Sequence, residues 1–124
     1  MILPPTKLYL REVEGKGMGV FASDVIVKGE VIEICHIYFL NPLINDNLSA
    51  HGWGFPKGDE KPNKTFIAFG FGSVYNHCDD NNIDWECDGK TMKFFATRSI
   101  NVNEECCVKY HERYWQHHGV ENKI

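Results

Sequence analysis

Asp88-Gly89-Lys90 separates two runs of alternating apolar residues, 83–87 and 92–97. An Asp-Gly pair set between such runs supplies the backbone angles of a tight turn and commits the chain to an antiparallel hairpin. The rest of the chain follows the same rule, with short apolar runs ended by turn residues. Residues 8–13 alternate apolar and polar, as a half-buried strand does. Residues 14–19 are a glycine-dense turn, after which Val20-Phe21-Ala22 and Val25-Ile26-Val27 favour strands. Residues 27–30 read as a turn, and 31–40 are β-branched and aromatic, enough for one strand or two. Residues 65–71 resume the strand pattern, 100–104 turn the chain again, and 106–110 form a last strand. Only 112–118 offers a turn or two of amphipathic helix. The expectation is one mainly β domain of 124 residues with a single core.

Residues 41–64 break the pattern. Three prolines (Pro42, Pro56, Pro62) and three glycines (Gly52, Gly54, Gly58) leave little regular structure, so this stretch is read as an internal insert. Trp53 and Phe55 give it something to pack, which favours a pinned loop over one that meets a substrate. A net charge of -4 without clustered Lys and Arg argues against nucleic acid and for a basic partner such as a lysine-rich peptide. No run reaches bilayer-spanning length. Residues 1–10, with Pro4 and Pro5 and no charged start, do not make a signal peptide. Cys35, Cys78, Cys87, Cys106 and Cys107 are odd in number and irregularly spaced, which points to reduced thiols in a soluble, intracellular protein.

Chemistry has few places to go in a chain without CxxC, HExxH or a phosphate loop. Gly15, Gly17 and Gly19 permit close backbone approach to another object. A dinucleotide loop would open a long helix, however, and here strand formers follow. Polar groups in apolar surroundings gather in two segments, 69–82 and 104–110. The Asn76 amide, the His77 imidazole and the Tyr110 phenol each need a partner if buried, on the backbone or on a ligand. Taken singly, His77 reads as a core histidine and Tyr110 as an ordinary strand tyrosine. His111, His117 and His118 with Cys78 or Cys107 match no zinc spacing, so no metal is expected. Cys106 and Cys107 should point to opposite faces of a strand, one in the core and one partly exposed. The acidic group of Asp79, Asp80, Asp84, Glu86 and Asp88 is a solvated face whose sign would steer a basic peptide.

In order along the chain stand Gly17-Met18-Gly19-Val20-Phe21-Ala22, then Val74-Tyr75-Asn76-His77-Cys78 with Asn82. Glu104-Glu105 follows, and then Tyr110 with Tyr114-Trp115. This series resembles the SET domain, the family of S-adenosylmethionine-dependent protein-lysine methyltransferases, over roughly Lys7 to Trp115. The layout is similar to that of the minimal viral SET proteins. It departs at Ser73, Asn81 and His111, where the family usually carries Arg, Pro and Gly. The resemblance implies a β-clip-like fold of several small sheets with little helix. It also implies a pseudoknot-like C-terminal segment whose Tyr strand passes beside the Asn-His segment. Residues 1–124 then form one SET domain, with 112–124 as a short tail.

The resemblance also implies roles. Lys16, Gly17, Met18, Gly19, Asn76, His77 and Tyr110 would hold S-adenosylmethionine, leaving S-adenosylhomocysteine as product, and Trp115 would offer its indole face to the adenine. Tyr110 would carry catalysis. Phe71, Tyr75 and Tyr114 would wall the substrate channel, and Val108, two residues before Tyr110, would bear on the number of methyls added. The implied partner is a lysine-containing protein or peptide, a histone tail being the family's best-known target. A homodimer is expected, because the chain carries no further segment to close the site. Two other readings stay open at this stage. One is a non-catalytic SET-like module that binds the cofactor or a basic peptide, and the other is an unrelated small β-rich metal-binding or structural protein.

Overall fold

The computed structural model describes residues 1–40, 52–55, 57 and 64–110, which form nine strands and no helix. In chain order these are β1 (Leu8–Val13), β2 (Gly17–Ala22), β3 (Val31–Phe39), β4 (Trp53–Phe55), β5 (Lys64–Ala68), β6 (Asn76–His77), β7 (Ile83–Cys87), β8 (Thr91–Ala96) and β9 (Glu105–Val108). They make two sheets, one ordered β1-β2-β9-β6 and the other β4-β5-β3-β8-β7. No helix of the described residues is long and apolar enough to cross a membrane.

The hairpins arise where the sequence places them. β1 and β2 pair from Leu8↔Ala22 to Val13↔Gly17. Their turn uses positive φ at Gly15 (79°) and Gly17 (80°), a region side-chain-bearing residues avoid. β7 and β8 pair from Ile83↔Ala96 to Cys87↔Met92 around Asp88, whose carboxylate accepts the N–H groups of Lys90 and Thr91. Strict alternation in β8 sends Met92, Phe94 and Ala96 into the core, where Ile83 and Trp85 of β7, Phe66 and Ala68 of β5, and Tyr75 meet them. Each fully buried large apolar side chain contributes roughly 1.5–3 kcal/mol.

β3 breaks its own alternation. The register against β8 shifts between Val31 and Glu33, so that Ile32 and its neighbour Glu33 are both buried. Such a bulge re-aims every later side chain, here turning Glu33 and Cys35 to the core face.

The element that completes the fold is β9, which lies between β2 and β6. It pairs antiparallel with β2 (Val20↔Cys106, Phe21↔Glu105) and parallel with β6 (Asn76↔Cys107, His77↔Val108). Beyond β6 the contact continues through Asn82. Its side-chain Nδ2 donates to the Glu105 carbonyl at 2.8 Å, and its Oδ1 accepts the Cys107 N–H at 2.9 Å. A buried side-chain amide thus does for β9 what a neighbouring peptide group would do.

Several details differ from expectation. Residues 25–27 are not a strand, since Ile26 alone makes a bridge, to Ile100. The insert supplies a regular element after all, because Trp53 has apolar partners that override the local Gly and Pro content: β4 pairs with β5 from Trp53↔Phe66 to Phe55↔Lys64. The strand begun at residue 64 stops at Ala68, where Ser73 Oγ accepts the Ala68 N–H at 2.9 Å. Cys106 and Cys107 are both buried, at 0% and 6% exposure, because β9 has a strand on each side and is covered on both faces. The helix expected at 112–118 lies outside the described residues, as do His111, Tyr114 and Trp115.

Replacing Asn82 by Ala orphans a buried carbonyl and a buried N–H on β9. The expected loss is about 2–3 kcal/mol of unfolding free energy. In a urea titration it should show as a lower midpoint at unchanged slope.

Candidate active site

β9 brings the Gly17–Ala22 strand and the Asn-His segment to one place. Gly19 is buried there, and a Cβ on it would lie 2.7 Å from Glu105 Oε2, 2.8 Å from Val13 Cγ2 and 3.0 Å from Asn76 Nδ2. Only glycine lets the carboxylate and the amide come so close. Asn76 Nδ2 donates to Glu105 Oε2 at 2.9 Å and to the Met18 carbonyl at 3.2 Å. Both partners are acceptors, so the orientation of the amide is forced and its Oδ1 is left to accept from a ligand. The cradle therefore presents oxygen lone pairs, from the Met18 carbonyl, Asn76 and Glu105. Lys16 sits at the mouth of the β1–β2 turn, its N–H bound to the Val13 carbonyl at 3.0 Å.

His77 is 5% exposed and its ring is engaged on both sides. Nδ1 accepts the Tyr110 N–H at 2.8 Å, which places the ring proton on Nε2, 2.9 Å from Asp79 Oδ1. What His77 does for the site is hold Tyr110. The tyrosine is tied again at its tip, where its hydroxyl donates to the Tyr75 carbonyl at 2.7 Å. Its one hydrogen is thereby committed, so toward anything else Tyr110 Oη acts as an acceptor.

An aromatic cluster lies against the Tyr110 ring. His77 lies 5.3 Å from the Tyr110 ring and Trp53 lies 6.1 Å from it; Trp53 in turn meets Trp85 at 5.3 Å and Phe94 at 6.0 Å. Trp53 carries a buried indole N–H with no hydrogen-bond partner among the described residues. The insert is clipped down by Lys57, whose ammonium bonds Asp84 Oδ1 at 2.6 Å and the Trp85 carbonyl at 2.5 Å. Tyr75 is 1% exposed, with its ring stacked on Phe94 at 4.4 Å and its hydroxyl 2.8 Å from Glu33 Oε1. It offers the site its carbonyl, while its ring faces the core. Val108 is likewise core, in register with His77, and Phe71 is half-buried at the edge of the cluster.

Three groups near the site escaped the sequence reading. Glu105 carries only the general signal of an acidic pair at the head of a strand. Trp53 was read as packing alone. Glu33 sits in a β-branched run with nothing to mark it, yet it is 1% exposed and burial pushes its carboxyl pKa up. Burial also pushes the Cys106 thiol up to about 12 and raises Cys35 and Cys107, so these cysteines are core groups rather than nucleophiles.

A strand that docks a tethered tyrosine against an Asn-His segment and a glycine cradle defines a class of protein. Residues 17–111 match the SET domain family, and the chain belongs to that family, within its protein-lysine methyltransferases. It is 29% identical over 114 residues, 87% of this chain and 76% of the relative, to a Schizosaccharomyces pombe histone-lysine N-methyltransferase specific for H3 lysine-37. The fold matches the crystal structure of a Plasmodium falciparum protein assigned as a histone methyltransferase. That match has a TM-score of 0.71 and 26% identity, and it covers 89% of this chain and 97% of that one. Membership sets aside the reading of an unrelated metal-binding or structural protein.

Two outcomes test the geometry. Gly19→Ala must push Glu105 and Asn76 apart, and it should weaken S-adenosylhomocysteine binding on the order of tenfold or more in a calorimetric titration. Glu33 favours its protonated form in the fold, so its contribution to stability is whole below its ordinary value of 4.5 and is lost as pH rises through the higher folded value. Glu30, held below its usual range by the Lys7 ammonium, acts in the opposite sense, so the comparison is with Glu33→Gln. As pH rises above about 5, the wild-type melting temperature should fall relative to that variant.

Proposed function

We propose that this chain transfers methyl groups from S-adenosylmethionine to lysine side chains of a protein, and that its substrate is a basic, histone-like segment. The observation that carries the reading is the double tether of Tyr110, by its N–H to His77 and by its hydroxyl to the Tyr75 carbonyl, beside the Asn76 cradle. When bound, the cofactor supplies a methyl group on a positively charged sulfur. The residues present suit such a cation. Asn76 Oδ1, the Met18 carbonyl and the Glu105 carboxylate offer acceptors to its ammonium group, and the backbone of 16–19 approaches it through glycine. Trp115 takes the adenine face and Tyr114 a channel wall, as the family resemblance assigns them.

With its hydrogen committed to Tyr75, Tyr110 Oη has lone pairs that would orient the incoming amine and the methyl group, and such alignment is worth several kcal/mol. The amine must arrive neutral. Aromatic walls from Trp53, Phe94 and Tyr110 favour that by making the charged ammonium harder to solvate. Exposed Asp79 and Asp80, with the net charge of -4, favour a basic segment over an acidic one. A relative that acts on histone H3 supports the same substrate class. Five unpaired thiols support a reducing, intracellular setting. The homodimer belongs to this reading as a way of closing the site, and sedimentation of the active species tests it.

The deciding experiment combines calorimetry with S-adenosylhomocysteine and transfer of labelled methyl to histone peptides. Asn76→Ala should lose cofactor binding by tenfold or more. Tyr110→Phe should bind within about threefold of wild type while kcat falls on the order of a hundredfold. Equal kcat in Tyr110→Phe and wild type would take the catalytic role from Tyr110, and S-adenosylhomocysteine binding with no transfer by wild type would leave the chain a binding module.

A further inference from the structure

Phe69-Gly70-Phe71-Gly72 alternates aromatic residues with glycines, and beyond a channel wall at Phe71 the transfer chemistry gives it no task. In the fold it is a collar around Glu33. Glu33 Oε2 accepts the Phe71 N–H at 2.8 Å and Oε1 accepts the Tyr75 hydroxyl at 2.8 Å. Gly70, at φ 69°, passes so close to the carboxylate that a Cβ would collide with Oε2, and a Cβ on Gly72 would collide with Ala68 and crowd Cys35 and Phe94. Among the described residues Glu33 makes no ion pair, so a carboxyl group is kept in the core without a cation. A well-packed apolar residue would usually be as stable there or more so. Stability therefore does not explain Glu33, and its place in a chain of contacts does.

We propose that Glu33 is a positioning residue of the transfer site, one that fixes the Tyr110 hydroxyl through Tyr75. The links are short: Glu33 holds the tip of the Tyr75 ring, Phe94 stacks on that ring at 4.4 Å, and the Tyr75 carbonyl takes the Tyr110 hydroxyl hydrogen at 2.7 Å. With ring tip and ring face both held, the Cα of residue 75 has little room to shift, which limits how far its carbonyl can move from Tyr110. Releasing the tip leaves the carbonyl, and with it the direction of the Tyr110 lone pairs, free to drift, and small misplacements at a reacting centre are costly. Glu33 touches neither cofactor nor substrate. The inference rests on the reading of Tyr110 as the catalytic group.

The test compares Glu33→Leu, Glu33→Gln and Tyr75→Phe with wild type. Gln keeps both partners, its oxygen accepting from Phe71 and its amide donating to the Tyr75 hydroxyl oxygen. Glu33→Leu and Tyr75→Phe should lower kcat on the order of tenfold while peptide KM and S-adenosylhomocysteine affinity stay within about threefold. Glu33→Gln should return kcat to within about threefold of wild type. A variant that melts earlier but keeps wild-type kcat would show Glu33 to be structural only, and overturn the proposal. Tyr75→Phe retains Glu33 and its bond to Phe71, so it answers even if Glu33→Leu does not fold. A second readout needs no turnover. In protein labelled with 13C at tyrosine Cζ, the Tyr110 signal, assigned through Tyr110→Phe, should shift in Tyr75→Phe. An unmoved Tyr110 signal overturns the proposal whatever the activity, whereas a shifted signal in a protein that transfers no methyl would count against the proposed function alone.

Discussion

Everything in this structure waits on the seat that β9 takes between β2 and β6. β2 contributes the glycine cradle and β6 the Asn-His pair; no backbone ladder joins them directly, and beside the strand between them the Asn76 side chain reaches across, to the Met18 carbonyl. Parallel pairing over two residues is a weak bond by itself. Asn82 makes it durable by adding its side-chain amide to the backbone bond that its own N–H makes to the Cys107 carbonyl. The site is thus less a pocket in a finished fold than a seam between segments from the two ends of the described chain.

The polarity of that seam is one-sided. Asn76 spends both amide hydrogens on acceptors, Tyr110 spends its hydroxyl hydrogen on a carbonyl, and Glu105 has only lone pairs to give. Such a surface prefers a cationic ligand without needing a formal ion pair at every contact. The aromatic side of the seam works by the opposite means, giving little to a charged amine and more to a neutral one. Acceptors on one wall and rings on the other separate the two demands of methyl transfer, a cation to deliver the methyl and an uncharged nitrogen to receive it.

The parts legible in the sequence are those where local chemistry and tertiary structure agree. Asp88-Gly89 marked the β7–β8 hairpin, the turn at Gly15 and Gly17 marked β1–β2, and the Asn-His and Tyr motifs marked the segments that β9 unites. What stayed hidden depended on a partner distant in sequence. Trp53 lies among glycines and prolines, and only Trp85, Phe94 and Tyr110 make a strand of its neighbourhood. Glu33 is invisible to an alternation rule because a bulge immediately before it changes which face it occupies. The same rule leaves one of Cys106 and Cys107 partly exposed, because it knows nothing of a strand covered on both sides. Val25-Ile26-Val27 has strand composition but a single bridge, since no neighbouring strand runs alongside for more than one residue.

The pairing of Phe21 with Glu105 carries a consequence for biosynthesis. Contacts between residues so far apart in sequence form late and slowly. Until β9 arrives, β2 presents an unsatisfied edge carrying Val20 and Ala22, the kind of surface to which chaperones and other unpaired strands adhere. A nascent chain emerging from the ribosome as far as residue 100 holds the glycines of β2 and the Asn-His pair, yet neither Glu105 nor Tyr110. Glu105, the seat for Tyr110 and a cover for the β2 edge therefore arrive in the same step of synthesis, when β9 slides home.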